Sequence, residues 1–208
     1  MIKDHELEMA YDNNATHVLQ TMLSIIKDTL RCELNKVIIG DLKNLSLDSN
    51  GICLIKKFII TTTIEENKTE IINILTDNVI EISQSPYGNY VIQFLFEAWG
   101  TSQCEKMVDI IIENICILSV QKYSSNVAEK IIELLDEKKR EKLSDEMFYS
   151  NKLMSLLKNK YGRYVLQKAL KSMGEKQKEE IVKYYNNKSN LSSIEKNKLK
   201  AFIFSCRV

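Results

Sequence analysis

The alternation of polar and apolar positions repeats one phrase along this chain. It reads YGNYVIQ at 87–93 and YGRYVLQ at 161–167, with YSSNVAE at 123–129 between them. SNGICLIK at 49–56 and NNATHVLQ at 13–20 fit the same frame. Aligned on His17, Cys53, Tyr90, Asn126 and Tyr164, the intervals are 36, 37, 36 and 38 residues. Each phrase places a small residue first: Ala15, Gly51, Gly88, Ser124 and Gly162. Two variable positions follow, then an apolar pair: Val18-Leu19, Leu54-Ile55, Val91-Ile92, Val127-Ala128 and Val165-Leu166. A polar residue closes it: Gln20, Lys56, Gln93, Glu129 or Gln167. Self-similarity at a period of about 20–50 residues marks a repeat array.

The phrase predicts the start of a helix. Residues four apart share a helix face, so Asn89 and Gln93 form a polar stripe facing out, while Val91, Ile92 and Leu95 build the core. Further amphipathic stretches at 104–120 and 137–159 leave room for about three helices per unit. No strand-like alternation persists. The expected fold is an all-α solenoid of about five three-helix units whose stripes align along one surface. The Lys/Asn/Ser stretch at 184–200 reads as a cap helix preceded by a loop.

Composition agrees with helices: 208 residues, 44% hydrophobic, with one proline and six glycines. The N-terminus MIKDHELEMAYD is charged and reads as no signal peptide. No apolar run approaches a transmembrane length. Five cysteines, an odd number without a CxxC pair, and two histidines offer no zinc-site spacing. Reduced thiols in the cytosol or nucleus are the simplest reading. No cofactor is expected. Phosphate-binding, zinc-protease and nucleophile-elbow motifs are lacking, which argues against an enzyme.

Charge adds a polarity along the chain. From Asn151 onward there are 14 Lys and Arg against 4 Asp and Glu; residues 1–150 hold 15 against 24, so +10 and −9 make the net +1. Either the C-terminal third is a solvated lysine-rich surface or it faces a polyanion.

A period near 36 with YGNYVIQ and SSNVAEK in consecutive units resembles the PUF (Pumilio-homology) family of RNA-binding proteins, over roughly residues 10–183. The last three units look like the last three of that family's usual eight, and the two upstream units match more loosely. The resemblance implies a curved, right-handed α-solenoid with a concave RNA-binding face, as one domain over 1–208. Its approximate repeats are 1–33 (partial), 34–70, 71–107, 108–144 and 145–183, with a cap at 184–208. Only about 12 residues precede the first phrase. A fragment of a longer array, a short array, or an N-terminal face covered by a partner would each account for that.

The family reads one base per repeat with two or three side chains. The resemblance therefore assigns base stacking to His17, Cys53, Tyr90, Asn126 and Tyr164. Base edges fall to Thr16 and Gln20, Ile52 and Lys56, Asn89 and Gln93, Ser125 and Glu129, and Arg163 and Gln167. The chemistry fits such roles. Amides both donate and accept, which suits uracil; a carboxylate only accepts, which suits the adjacent donors of guanine. With RNA antiparallel to the repeats, as in the family, Arg163/Tyr164/Gln167, Ser125/Asn126/Glu129 and Asn89/Tyr90/Gln93 would read 5′-UGU. Weak selectivity is expected at Ile52/Cys53/Lys56, and at Thr16/His17/Gln20 uracil slightly favoured over adenine. Lys130, Lys160 and Lys168 are candidate phosphate contacts.

The implied role is binding of mRNA 3′-UTR elements for repression or decay in the cytoplasm, with deadenylation or repressor proteins as partners and no membrane. The alternatives are a relative in the nucleus or nucleolus that binds RNA with little sequence preference in ribosome biogenesis, and an armadillo- or HEAT-type protein scaffold.

Overall fold

Each repeated phrase opens a helix of 11 or 12 residues: Ala15–Ile25, Gly51–Thr61, Gly88–Trp99, Ser124–Leu134 and Lys160–Lys171. These are the motif helices. The structure is a computed structural model describing residues 5–188 and 191–206. Residues 1–4, 189–190 and 207–208, inside the expected first repeat and cap, lie outside the described residues. All regular elements among the described residues are helical.

The chain divides into two compact units, one up to Asn114 and one from Ile115. In the first, Glu6–Tyr11 precedes the first motif helix, and a 3-10 turn at Asp28–Leu30 follows it. Then the order long, short, motif appears twice: Cys32–Gly40, Leu42–Leu47, Gly51–Thr61, and Glu65–Asp77, Val79–Gln84, Gly88–Trp99. Glu105–Glu113 ends this unit. Its three motif helices pack side by side in chain order.

In the second unit, Ile115–Leu118 leads into the motif helix Ser124–Leu134. Glu137–Ser144 runs into a π-helical turn at Asp145–Tyr149, and Leu153–Lys158 precedes the last motif helix. Ser124–Leu134 and Lys160–Lys171 pack together, and Glu175–Asn186 pairs with Ser193–Ser205.

The small residue of the last four phrases has a reason in the packing. A Cβ on Gly51 would lie 2.3 Å from the Leu45 carbonyl oxygen, on Gly88 2.5 Å from that of Ile82, and on Gly162 2.8 Å from that of Leu156. In every case the carbonyl belongs to the sixth residue back, in the preceding short helix. Ser124 meets the same situation differently: its hydroxyl donates to the Leu118 carbonyl, again six residues back, at 2.7 Å. The motif helix thus lies against the short helix at backbone contact distance.

The core follows the phrase with one exception. Leu54, Val91, Val127 and Val165 are fully buried, as are Phe58, Leu95, Ile131 and Ala169 four residues further on. At the matching positions of the first motif helix, Val18 is 47% exposed and Met22 only half-buried. Val18 therefore does not build the core as the pattern suggests, because within the described residues no motif helix covers that side. Leu19 and Leu23, on the adjoining face, are buried.

A buried ion pair ties the first two motif helices together. The Arg31 guanidinium donates to the carbonyls of Leu23, Ile26 and Thr61 and lies 3.1 Å from Asp28. The Asp28 carboxylate also accepts from the N–H groups of Thr63 (2.6 Å) and Ile64 (3.0 Å) and from the Asn35 amide (2.8 Å). Burial pushes the Asp28 carboxyl up. The Thr63 and Ile64 N–H groups, the Asn35 amide and the Arg31 charge outweigh that and hold it below the ordinary carboxylate value.

Both the seat and the clamp can be tested by substitution. Gly88→Ala should lower stability by about 1–3 kcal/mol. Gly40→Ala, where an added Cβ meets nothing within 4 Å, should leave it unchanged or raised; equal effects in urea titrations would contradict the close seat. For the clamp, Arg31→Met should cost about 3–5 kcal/mol by stranding Asp28. A depressed carboxyl stabilises above its unfolded pKa of about 3.9 and loses that contribution as pH falls through the folded value. Wild-type stability should accordingly fall more steeply than that of Asp28→Asn in denaturant titrations below about pH 4.

Candidate nucleic-acid interface

The motif helices are aimed by caps three residues before their small residue. The Asp12 carboxylate accepts from the N–H groups of Asn14 and Ala15 (2.9 and 2.7 Å), and that of Asp48 from Asn50 and Gly51 (2.8 and 2.9 Å). The Ser85 hydroxyl accepts from Tyr87 and Gly88 (3.2 and 3.1 Å), and the Asn159 side chain from Tyr161 and Gly162 (2.8 and 3.0 Å). Such caps satisfy the free N–H groups of a helix start. The Ala15 and Asn14 N–H groups hold the Asp12 carboxyl below its ordinary value. The fourth phrase has Gln121 at this position, whose longer side chain makes no such cap. The sequence reading missed these residues, although Asp, Asp, Ser and Asn recurring at one offset is a readable signal.

With the helices so set, one position points outward in every phrase. His17, Cys53, Tyr90, Asn126 and Tyr164 are all exposed, Tyr90 by 52% and Tyr164 by 64%. The residue three further on is half-buried each time: Gln20, Lys56, Gln93, Glu129 and Gln167. The residue just before is not uniform. Ile52 is half-buried and Arg163 exposed, but Thr16, Asn89 and Ser125 are buried.

Asn89 therefore does not face out as the four-residue spacing suggests. Its amide N–H groups donate to the carbonyls of Ser85 (2.9 Å) and Pro86 (3.1 Å), and its Oδ1 accepts from Gln93 Nε2 (3.0 Å). Ser125 likewise donates to the Lys122 carbonyl at 3.2 Å. Both lie in the first turn, where a short polar side chain folds back onto the loop before the helix. Thr16 Oγ1 and Gln20 Nε2 are buried without a hydrogen-bond partner among the described residues, on either side of exposed His17.

Cations flank these positions. Lys56 lies 4.8 Å from the Phe94 ring centroid, Lys122 5.0 Å from Tyr123, Lys160 4.7 Å from Tyr161, and the Arg163 guanidinium 5.5 Å from Phe202. Lys168 is engaged with two carboxylates, Glu133 at 2.5 Å and Glu129 at 3.8 Å. Lys130 lies near enough to Glu133 to help depress its carboxyl. Among the described residues, no cluster of His, Cys, Asp or Glu is placed to hold a metal, and no helix is long and apolar enough to cross a membrane.

Residues 78–112, 114–148 and 153–183 match the Pumilio-family RNA binding repeat, and each match contains one of the last three motif helices. The chain belongs to the Pumilio family. Pumilio homolog 12 of Arabidopsis thaliana is 31% identical over 143 residues, 67% of this chain and 23% of that protein. A Pumilio domain-containing protein of Schizosaccharomyces pombe is 27% identical over 148 residues, 71% of this chain and 22% of its own. The chain thus spans less than a quarter of the length of these Pumilio relatives.

Solved Pumilio-type domains share the fold. The Puf4 RNA binding domain bound to an HO endonuclease RNA 3′ UTR recognition sequence superposes with a TM-score of 0.77 at 19% identity, over 88% of this chain and 57% of that one. The RNA-binding domain of yeast Puf5p bound to AAT2 RNA gives 0.75 at 20%, over 89% and 52%. The fold is accordingly the all-α Pumilio repeat fold.

The missing cap generates a test. Gln121→Asp should supply the Pumilio repeat at 114–148 with the cap its neighbours have and raise stability by about 0.5–2 kcal/mol. An unchanged or lower urea midpoint would show that Ser124 alone suffices there.

Proposed function

We propose that the chain binds single-stranded RNA sequence-specifically, one base per repeat, with 5′-UGU at its last three repeats. The observation that carries this is the exposure of Tyr90 and Tyr164. A tyrosine serving the core is covered, whereas these two keep more than half their surface open at the position that is exposed in all five phrases. An open ring beside a half-buried polar group offers a base both a stacking platform and an edge partner.

In this reading Tyr90 stacks on a uracil whose edge meets Gln93, with buried Asn89 holding the Gln93 amide. Asn126 lies beside a guanine whose two donors meet the Glu129 carboxylate, backed by Ser125. Tyr164 stacks on the 5′ uracil, with Gln167 and Arg163 at its edge. The two N-terminal repeats contribute less selectively through Ile52, Cys53 and Lys56, and through Thr16, His17 and Gln20. The role is binding rather than catalysis. Its setting is mRNA 3′-UTRs in the cytoplasm, where repression or decay would need effector proteins.

Tyr90→Ala should weaken binding to a UGU-containing RNA by about 1–3 kcal/mol without changing the melting temperature. Loss of the fold instead would make Tyr90 a packing residue. Ser125→Asn with Glu129→Gln should move preference from UGU toward UUU in a filter-binding competition. Equal wild-type binding to UGU and ACA oligonucleotides would leave a Pumilio protein without sequence preference.

A further inference from the structure

Glu129 and Glu133 stand one turn apart on the same face of the motif helix Ser124–Leu134. Like charges at that spacing repel. The neighbouring motif helix answers with one cation. The Lys168 ammonium bonds Glu133 Oε1 at 2.5 Å and stops 3.8 Å from Glu129 Oε2. The Lys168 side chain is 30% exposed, so this cation is not a loose surface charge. Its hydrogen bond to Glu133 is the main cause holding the Glu133 carboxyl below its ordinary value.

The two distances differ in kind. At 2.5 Å the ammonium is hydrogen-bonded; at 3.8 Å it is beyond hydrogen-bond reach yet close enough to offset a neighbouring charge. Guanine readout by a carboxylate needs both. The carboxylate must stay charged and lose water as the base covers it, and its oxygens must remain open to two N–H donors.

We propose that Glu133 and Lys168 form a positioning pair for guanine readout in the fourth repeat. Glu133 anchors the ammonium beside Glu129, near enough to balance its charge and too far to occupy its oxygens. This rests on the guanine assignment of Glu129 made above. It also removes Lys168 from the phosphate contacts: its charge acts through Glu129 on which base is chosen.

The test measures fluorescence anisotropy with labelled single-stranded RNAs carrying UGU, UAU, UUU and UCU, against wild type, Lys168→Met, Lys168→Arg and Glu133→Gln. Lys168→Met should reduce the preference for UGU over the other three by about five-fold or more, within the range of coupled neighbours. Lys168→Arg should restore most of it. Glu133→Gln should also reduce the preference, because the released ammonium then bonds Glu129 directly. In a Glu129→Gln background, Lys168→Met should no longer change the ratios.

A phosphate-contacting lysine gives the opposite pattern. Lys168→Met then weakens all four RNAs equally with a shallower salt dependence, and Glu133→Gln strengthens all four equally. Either result overturns the positioning pair while leaving guanine readout standing. Wild-type protein with no preference for UGU overturns the guanine assignment itself. Circular dichroism of each variant checks folding. Glu133→Gln alters a half-exposed side chain, so it separates the two patterns even where Lys168→Met does not fold.

Discussion

The contact on which each repeat depends is made by backbone. The first turn of a motif helix rests on the carbonyl oxygen six residues earlier, so closely that Gly51, Gly88 and Gly162 have no room for a methyl group. Helices packed through side chains keep axes about 8–10 Å apart and tolerate some roll. A helix start seated on a carbonyl oxygen tolerates much less. That seat, with the Asp12, Asp48, Ser85 or Asn159 cap three residues before it, fixes the rotation of the helix about its axis. Rotation in turn decides that Tyr90 and Tyr164 emerge while Val91 and Val165 go under.

Much of this was legible in the sequence because it is periodic. A 36-to-38-residue interval with a constant small residue and a constant apolar pair fixes the repeat length, the helical class and the outward position at once. The period does not supply the phase. Helices Glu65–Asp77 and Glu105–Glu113 run across residues 70 and 107, and joints fall in short loops such as 62–64 and 100–104. Helical spacing also could not show that Asn89 and Ser125 turn inward. An i, i+4 relation says which residues share a face, but a first-turn Asn or Ser has the preceding loop's carbonyls within reach, and here those win. The Asp28–Arg31 clamp was equally hidden, since its partners at Leu23, Thr61 and Thr63 meet only once two motif helices have packed.

The charge asymmetry of the sequence is resolved only in part by the structure. Several cations of the C-terminal third are already engaged, Lys160 over Tyr161, Arg163 over Phe202, and Lys168 with Glu129 and Glu133. Lys178 is buried, bonded to Glu175 and directed at the Cys206 carbonyl, so it serves the C-terminal helices. Ring contacts leave the charge in place, so it is pairing with carboxylates, as at Lys168 and Lys178, that lowers the field a polyanion would meet. Local pairing, more than net charge, sets what each repeat presents.

The carbonyl seat separates measuring from reading. Where neighbouring motif helices pack within one unit, the seat acts as a ruler, marking off one outward position per repeat from main-chain atoms that no substitution can remove. The letters printed at those marks differ freely, from cysteine to histidine to tyrosine to asparagine. Evolution can therefore rewrite the message of such a protein without recalibrating the instrument. In the last four repeats the residue with least room to change is the glycine or serine seated on the preceding short helix.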